Sequence, residues 1–140
     1  MQTSHRMRLA GRLAVLLVVS ISAFVRSSYP APQSPDSSEV AVVKGDAGPC
    51  SADFQVSDSS GRGVYGVKIR IQIKYGFMGF HRLDATVGTN VDGKARIEGL
   101  PEQIKGVGEF KVVRGDQSKS LPFDPGVDCH ARHEVVFGEK

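Results

Sequence analysis

The 140-residue chain has no tryptophan, only two cysteines and a single asparagine, and no acidic residue precedes Asp36. Two cysteines are too few for a disulfide-dense miniprotein or a four-cysteine zinc module. The sustained apolar run, Leu13 to Val25 (LAVLLVVSISAFV), has 13 residues. That falls short of the roughly 20 that a membrane-spanning helix needs, so a multispan membrane protein is excluded. With 40% hydrophobic and 24% charged residues, wholesale disorder is excluded as well.

The formal charge of +3 points away from nucleic acid once its location is read. Four of the 18 basic residues, Arg6, Arg8, Arg12 and Arg26, lie in the first 26 positions, leaving 14 to face all 15 acidic residues. A near-neutral body has no global electrostatic reason to seek phosphate backbones or anionic lipid.

The first segment, residues 1–26, has the form of a signal peptide. Arg6, Arg8 and Arg12 make a positive start, the apolar run follows, and Ser20 and Ser22 offer small residues for cleavage between Ser20 and Ser28. An uncleaved N-terminal anchor is the alternative, and would be the chain's only membrane contact. Either way the body is expected to be exported to a periplasmic, cell-surface or secreted location. Residues 27–39, mostly SSYPAPQSPDSS, are too poor in apolar side chains to fold and read as a linker. The folded domain is expected over residues 40–140.

Within that domain the dominant period is two. Val67, Ile69, Ile71, Ile73 and Tyr75 alternate with Lys68, Arg70, Gln72 and Lys74, the pattern of an antiparallel strand with one dry and one wet face. Further strands are expected at Glu39 to Val43, Ala52 to Ser57, Asp84 to Thr89, Lys94 to Glu98, Glu109 to Val113, Ser118 to Phe123 and Glu134 to Phe137. Short strands separated by regular turns imply an all-β sandwich. Asp58-Ser-Ser-Gly61 and Asp92-Gly93 supply turn chemistry, since glycine accepts a positive φ without steric cost. Asn90, Asp92 and Gly93 faintly suggest a calcium loop, but the further carboxylates that such a loop needs are missing.

Two segments carry a family resemblance. One is Val56-Ser-Asp58-Ser-Ser-Gly61-Arg-Gly-Val64-Tyr-Gly66-Val67-Lys-Ile69. The other is Thr89-Asn90-Val-Asp92-Gly93-Lys-Ala95-Arg-Ile97-Glu-Gly99-Leu100-Pro101, followed by Glu109-Phe110-Lys-Val112. Together they resemble the carboxypeptidase regulatory-like domain, a transthyretin-like sandwich related to collagen-adhesin B-type repeats. The resemblance implies an Ig-like or transthyretin-like Greek-key β-sandwich of about seven short strands. The chain departs from the family pattern at Phe54, Gly63 and Ala95, and Val107-Gly108 reads as a small insertion. The zinc peptidase that such domains accompany has no counterpart in this sequence, which contains no H-E-x-x-H. The Lys–Asn crosslink of collagen-adhesin relatives needs an asparagine on the last strand, and Asn90 lies in the middle of the chain.

No constellation of nucleophile, base and oxyanion donors can be assembled, so no catalytic residue, cofactor or metal is expected. Tyr65, Tyr75, His81 and His130 match the residue types of an iron dioxygenase but not its size or spacing, and no serine stands in a nucleophile elbow. Cys129, His130 and His133 form a tempting zinc cluster, yet on a strand the odd spacing of the two histidines sends them to opposite faces. They read as surface histidines beside a disulfide. Cys50 precedes the first confident strand and Cys129 the last. In an oxidising compartment the two are expected to bridge, which requires those strands to run parallel.

The stretch that remains for binding is Tyr75-Gly-Phe77-Met78-Gly-Phe80-His81-Arg82. Its rings either close the end of the core, as aromatics usually do, or form an exposed shelf. On the shelf reading Tyr75, Phe77, Phe80 and Arg82 contact a glycan or an envelope or extracellular protein. Lys68, Arg70 and Lys74 then steer acidic groups, although such a stripe is more often a solvated sheet face. The expected function is a non-catalytic extracytoplasmic binding module. The competing reading is a purely structural envelope domain, with a small enzyme a distant third.

Overall fold

The computed structural model describes residues 38–138. The expected leader, and all of the linker but its last two residues, lie outside them.

Alternation of apolar and polar side chains decides the architecture. The Ile69, Ile71 and Ile73 side chains of one strand are buried while Lys68, Arg70, Gln72 and Lys74 between them are exposed. A strand with one dry face must cover it, and here two sheets do so for each other. Among the described residues nine strands run in chain order: β1 (Ala41–Lys44), β2 (Cys50–Asp58), β3 (Lys68–Tyr75), β4 (His81–Gly88), β5 (Lys94–Leu100), β6 (Ile104–Lys105), β7 (Gly108–Arg114), β8 (Gln117–Phe123) and β9 (His130–Phe137). The first sheet has the order β1-β5-β2-β9, and the second β4-β3-β7-β8 with β6 paired to the end of β3. Antiparallel β2 and β5 lie in one sheet and the β3–β4 hairpin between them in the other, which makes a Greek key folded across the sandwich. The all-β class is as the alternation implies, with more strands than the seven expected.

Between the sheets, Phe54 meets Phe110 edge-on at 4.9 Å between ring centroids, and Phe110 meets Phe123 at 5.3 Å. Isoleucines 69, 71 and 97 and Leu100 are fully buried around them.

β2 and β9 pair in parallel, with Ser51 opposite His130 through to Asp58 opposite Phe137. Their N-terminal ends therefore coincide, and Cys50 and Cys129 form a disulfide with Cα atoms 4.7 Å apart. The expected pair is present, and for the expected reason.

The two turn motifs pack against each other. Asp58 Oδ1 accepts hydrogen bonds from the backbone N–H of Ser60 at 2.9 Å and of Arg62 at 3.0 Å, and from the Ser60 hydroxyl at 2.6 Å. Those bonds, the Ser60 hydroxyl first, lower its pKa to about 2. Gly93 has φ 75°, and a Cβ there would lie 1.9 Å from the Val56 carbonyl oxygen, so only glycine fits. The single asparagine locks the same turn. Asn90 Oδ1 accepts from the N–H of Asp92 and Lys94, while its Nδ2 donates to the carbonyls of Ser38 and Glu39.

At the opposite flank β8 covers the free edge of β9: Lys119 Nζ donates to the Val136 carbonyl at 2.5 Å and lies over the Phe137 ring. A blocked edge cannot recruit a stray strand.

Candidate functional site

β3 and β4 are joined at one end of the sandwich by a 3₁₀ turn, Phe77–Gly79. Three residues in and next to it have positive φ, Gly76 just before it at 76°, and Met78 at 54° and Gly79 at 74° within it. Two are glycines, which tolerate that region; methionine does not favour it. The turn doubles back tightly, and none of its side chains is buried. Phe77 is 82% exposed, Met78 67% and Phe80 76%. Core closure by these rings, the usual fate of aromatics, does not occur here. The core is already sealed by Phe54, Phe110 and Phe123, which leaves the turn outside it.

The four residues singled out from the sequence separate into two groups. Tyr75 has the parity of Ile69, Ile71 and Ile73; it is half-buried, packs against the core and lies 5.4 Å from the His81 ring. It anchors the turn. Arg82 lies on the other face of the sheet, exposed, directly opposite Lys74. Phe77 and Phe80 project from the turn between them.

The outer face adds residues that no local pattern announces. β6 pairs with β3 so that Lys105 stands opposite Lys74 on the side away from Arg82. Arg82, Lys74 and Lys105 thus form one cationic row across three strands. The turn is seated on this row, since a Cβ at Gly79 would lie 3.2 Å from the Lys105 Cβ and 3.6 Å from the Lys74 Cβ. Beyond β6, Val107 is 91% exposed. A shallow groove of about 580 Å³ runs along the row, lined by Gln72, Lys74, Arg82, Asp84, Lys105 and Val107.

The acid in that groove is already engaged. Asp84 accepts from Arg70 Nε at 3.0 Å, from the Arg70 terminal nitrogen at 2.5 Å and from Gln72 at 2.7 Å. The Arg70 hydrogen bonds, then that of Gln72, hold its pKa below the ordinary carboxylate value. Among the described residues the ion pairs are Arg62–Asp58, Arg70–Asp84, Arg96–Asp53 and Arg96–Glu98, and none involves Lys74, Arg82 or Lys105. Arg70, one of the three cations of the exposed stripe, is paired with Asp84. Lys68 is exposed at the far end of β3.

The two histidines of β9 lie elsewhere. His130 faces outward and its Nδ1 is 3.0 Å from the Ser51 hydroxyl; His133 faces inward, as the odd spacing requires. His133 is not a surface residue as expected. It stacks on Phe54 at 5.4 Å and meets Phe110 edge-on at 5.5 Å, with its Nε2 buried and without a hydrogen-bond partner among the described residues. Burial lowers its pKa, opposed in part by the charge of Asp128.

The structure therefore defines a disulfide-stapled, all-β two-sheet sandwich with an apolar turn and a cationic row at one end. Compared with models of known protein families and with curated proteins, the chain matches none. Among the described residues no helix is long and apolar enough to cross a membrane. The disulfide is compatible with an exported protein.

Proposed function

We propose that this chain is a non-catalytic, extracytoplasmic binding module of the carboxypeptidase regulatory-like, transthyretin-like type, and that it engages its partner through the β3–β4 turn. The observation that carries this reading is the exposure of Phe77 and Phe80 beside Arg82, on a turn whose removal from water contributes nothing to the core. Single exposed apolar residues are ordinary, whereas three on one short turn mark an interaction surface. The family reading is supported by the Greek-key sandwich and by the hydrogen-bonded turns that Asp58 and Asp92-Gly93 form. Export is supported by the leader pattern and the disulfide.

Phe77→Ala and Phe80→Ala test the reading. Binding to immobilised acidic glycans, to envelope protein fractions and to lipid vesicles is compared with the melting temperature. Loss of binding at unchanged melting temperature is expected. Stability falling by about 3 kcal/mol or more would mark the rings as structural and leave a scaffold domain instead.

A further inference from the structure

The chemistry of the turn and its surroundings narrows the partner. The exposed set is Phe77, Met78, Phe80 and Val107, two phenyl rings and two aliphatic side chains. Sugar recognition asks for a flat ring with hydrogen-bonding groups aimed across it; a thioether and an isopropyl group offer neither. Hydrocarbon accepts all four.

Directly behind the apolar residues lies the row Arg82–Lys74–Lys105, three cations at opposed register positions with no ion pair among the described residues. Like charges directly opposite one another destabilise a sheet, so the row has a local cost that an external anion would relieve. An apolar wedge backed by a cationic collar is the arrangement that docks a protein on an anionic bilayer: side chains enter the acyl boundary while the basic groups sit among the headgroup phosphates. Across Val107, Glu102 and Asp124 line a neighbouring groove, which would keep that side off a negative surface and set a tilt.

From this we infer that the β3–β4 turn is a peripheral membrane-docking tip, with the face of an anionic lipid bilayer as its partner. Phe77, Met78 and Phe80 insert, Val107 lies at the margin, and Lys74, Arg82 and Lys105 contact lipid phosphates. The inference rests on the binding reading above and names the occupant of the same surface. It adds a membrane contact made by the folded domain itself, separate from any made by the leader.

The absence of tryptophan supplies the test. In the full chain, Phe77→Trp places a single tryptophan at the tip, which, excited selectively over the three tyrosines, reports its own environment even where the leader holds the protein on a vesicle. Emission is recorded with vesicles of phosphatidylcholine alone and with phosphatidylglycerol added, and with heparin as a soluble acidic glycan. The expected result is a blue shift, and quenching by brominated lipid, on the anionic vesicles only. It should reverse with salt and weaken about 100-fold in partitioning when Lys74, Arg82 and Lys105 are all replaced by Gln, from the usual contribution of three basic residues at an anionic surface. A shift with heparin and none with vesicles overturns the membrane inference and leaves the binding reading standing. So does an equal shift on both vesicle types that ignores the three Gln replacements. No response to vesicles, heparin or envelope proteins, with Phe77→Ala and Phe80→Ala equally silent, overturns both.

Discussion

Lys74 on β3 stands directly opposite Arg82 on β4, and neither makes an ion pair among the described residues, although Asp84 lies only one face-position further along β4. Asp84 is taken by Arg70 and Gln72. Asp84 is thus engaged at the middle of the face, and Lys74, Arg82 and Lys105 stand together at its end, an opposition of like charges with a local cost in stability.

That cost can be measured. Lys74→Glu converts two like-charge oppositions, with Arg82 and with Lys105, into attractive ones, and should stabilise the domain by about 0.5–1 kcal/mol in low salt. The same substitution should weaken binding at the tip. Urea denaturation at low and high ionic strength checks the first, with the gain shrinking as salt is added. No gain in stability at low salt would show that the three cations do not repel.

Opening the Cys50–Cys129 bridge frees a loop spanning 79 residues. In the chain-entropy account this should cost roughly 4 kcal/mol. Denaturation of the Cys50→Ser, Cys129→Ser double variant measures it. Because β2 and β9 remain hydrogen-bonded along their length, the circular dichroism of the variant should stay that of the native fold at low temperature. A variant already unfolded there would mean that the bridge holds the β2–β9 pairing in place.

His133 makes stability depend on pH in one direction. Its folded-state pKa is lowered by burial between Phe54 and Phe110, so protonation favours the unfolded chain. The unfolded state takes up the proton near pH ~6.5, and stability should be full above that value and fall as pH drops below it. His133→Leu should flatten this part of the profile. Parallel profiles for the two proteins between about pH 7 and pH 5 would assign the effect to other groups.

Asn90 closes the β4–β5 turn on one side and holds the entry to β1 on the other. Asn90→Ala removes four side-chain hydrogen bonds made by a buried asparagine, and a loss of about 1–2 kcal/mol is expected. Asn90→Asp keeps the acceptor for Asp92 and Lys94 but loses the donor to Ser38 and Glu39, so it should cost less. Thermal melts of the two variants give the order; Asp as costly as Ala would show that the Nδ2 bonds dominate, and Asp worse than Ala that a carboxylate is repelled by the Ser38 and Glu39 carbonyls.

What the sequence determined by itself is everything that depends on near neighbours. Alternation in Val67 to Tyr75 specified a strand with one buried face, because side chains two apart share a face whatever lies beyond. Asp58-Ser-Ser-Gly61 and Asp92-Gly93 specified turns, because their hydrogen bonds and φ angles are local. The odd spacing of His130 and His133 sent them to opposite faces, though which of the two would face the core depended on β9 taking its place beside β2. The cysteine pairing was conditional on a parallel β2–β9 ladder, and only the sheet order supplied that condition. β6 has two residues, too few for any period, so Lys105 and Val107 could not be placed beside Lys74 from the chain. The aromatic turn was ambiguous for the same reason. Phe77 and Phe80 are apolar enough to fill a core, and they are exposed because distant residues, Phe54, Phe110 and Phe123, had already filled it. Packing space is shared by the whole chain, and no segment carries a record of how much of it the others have used.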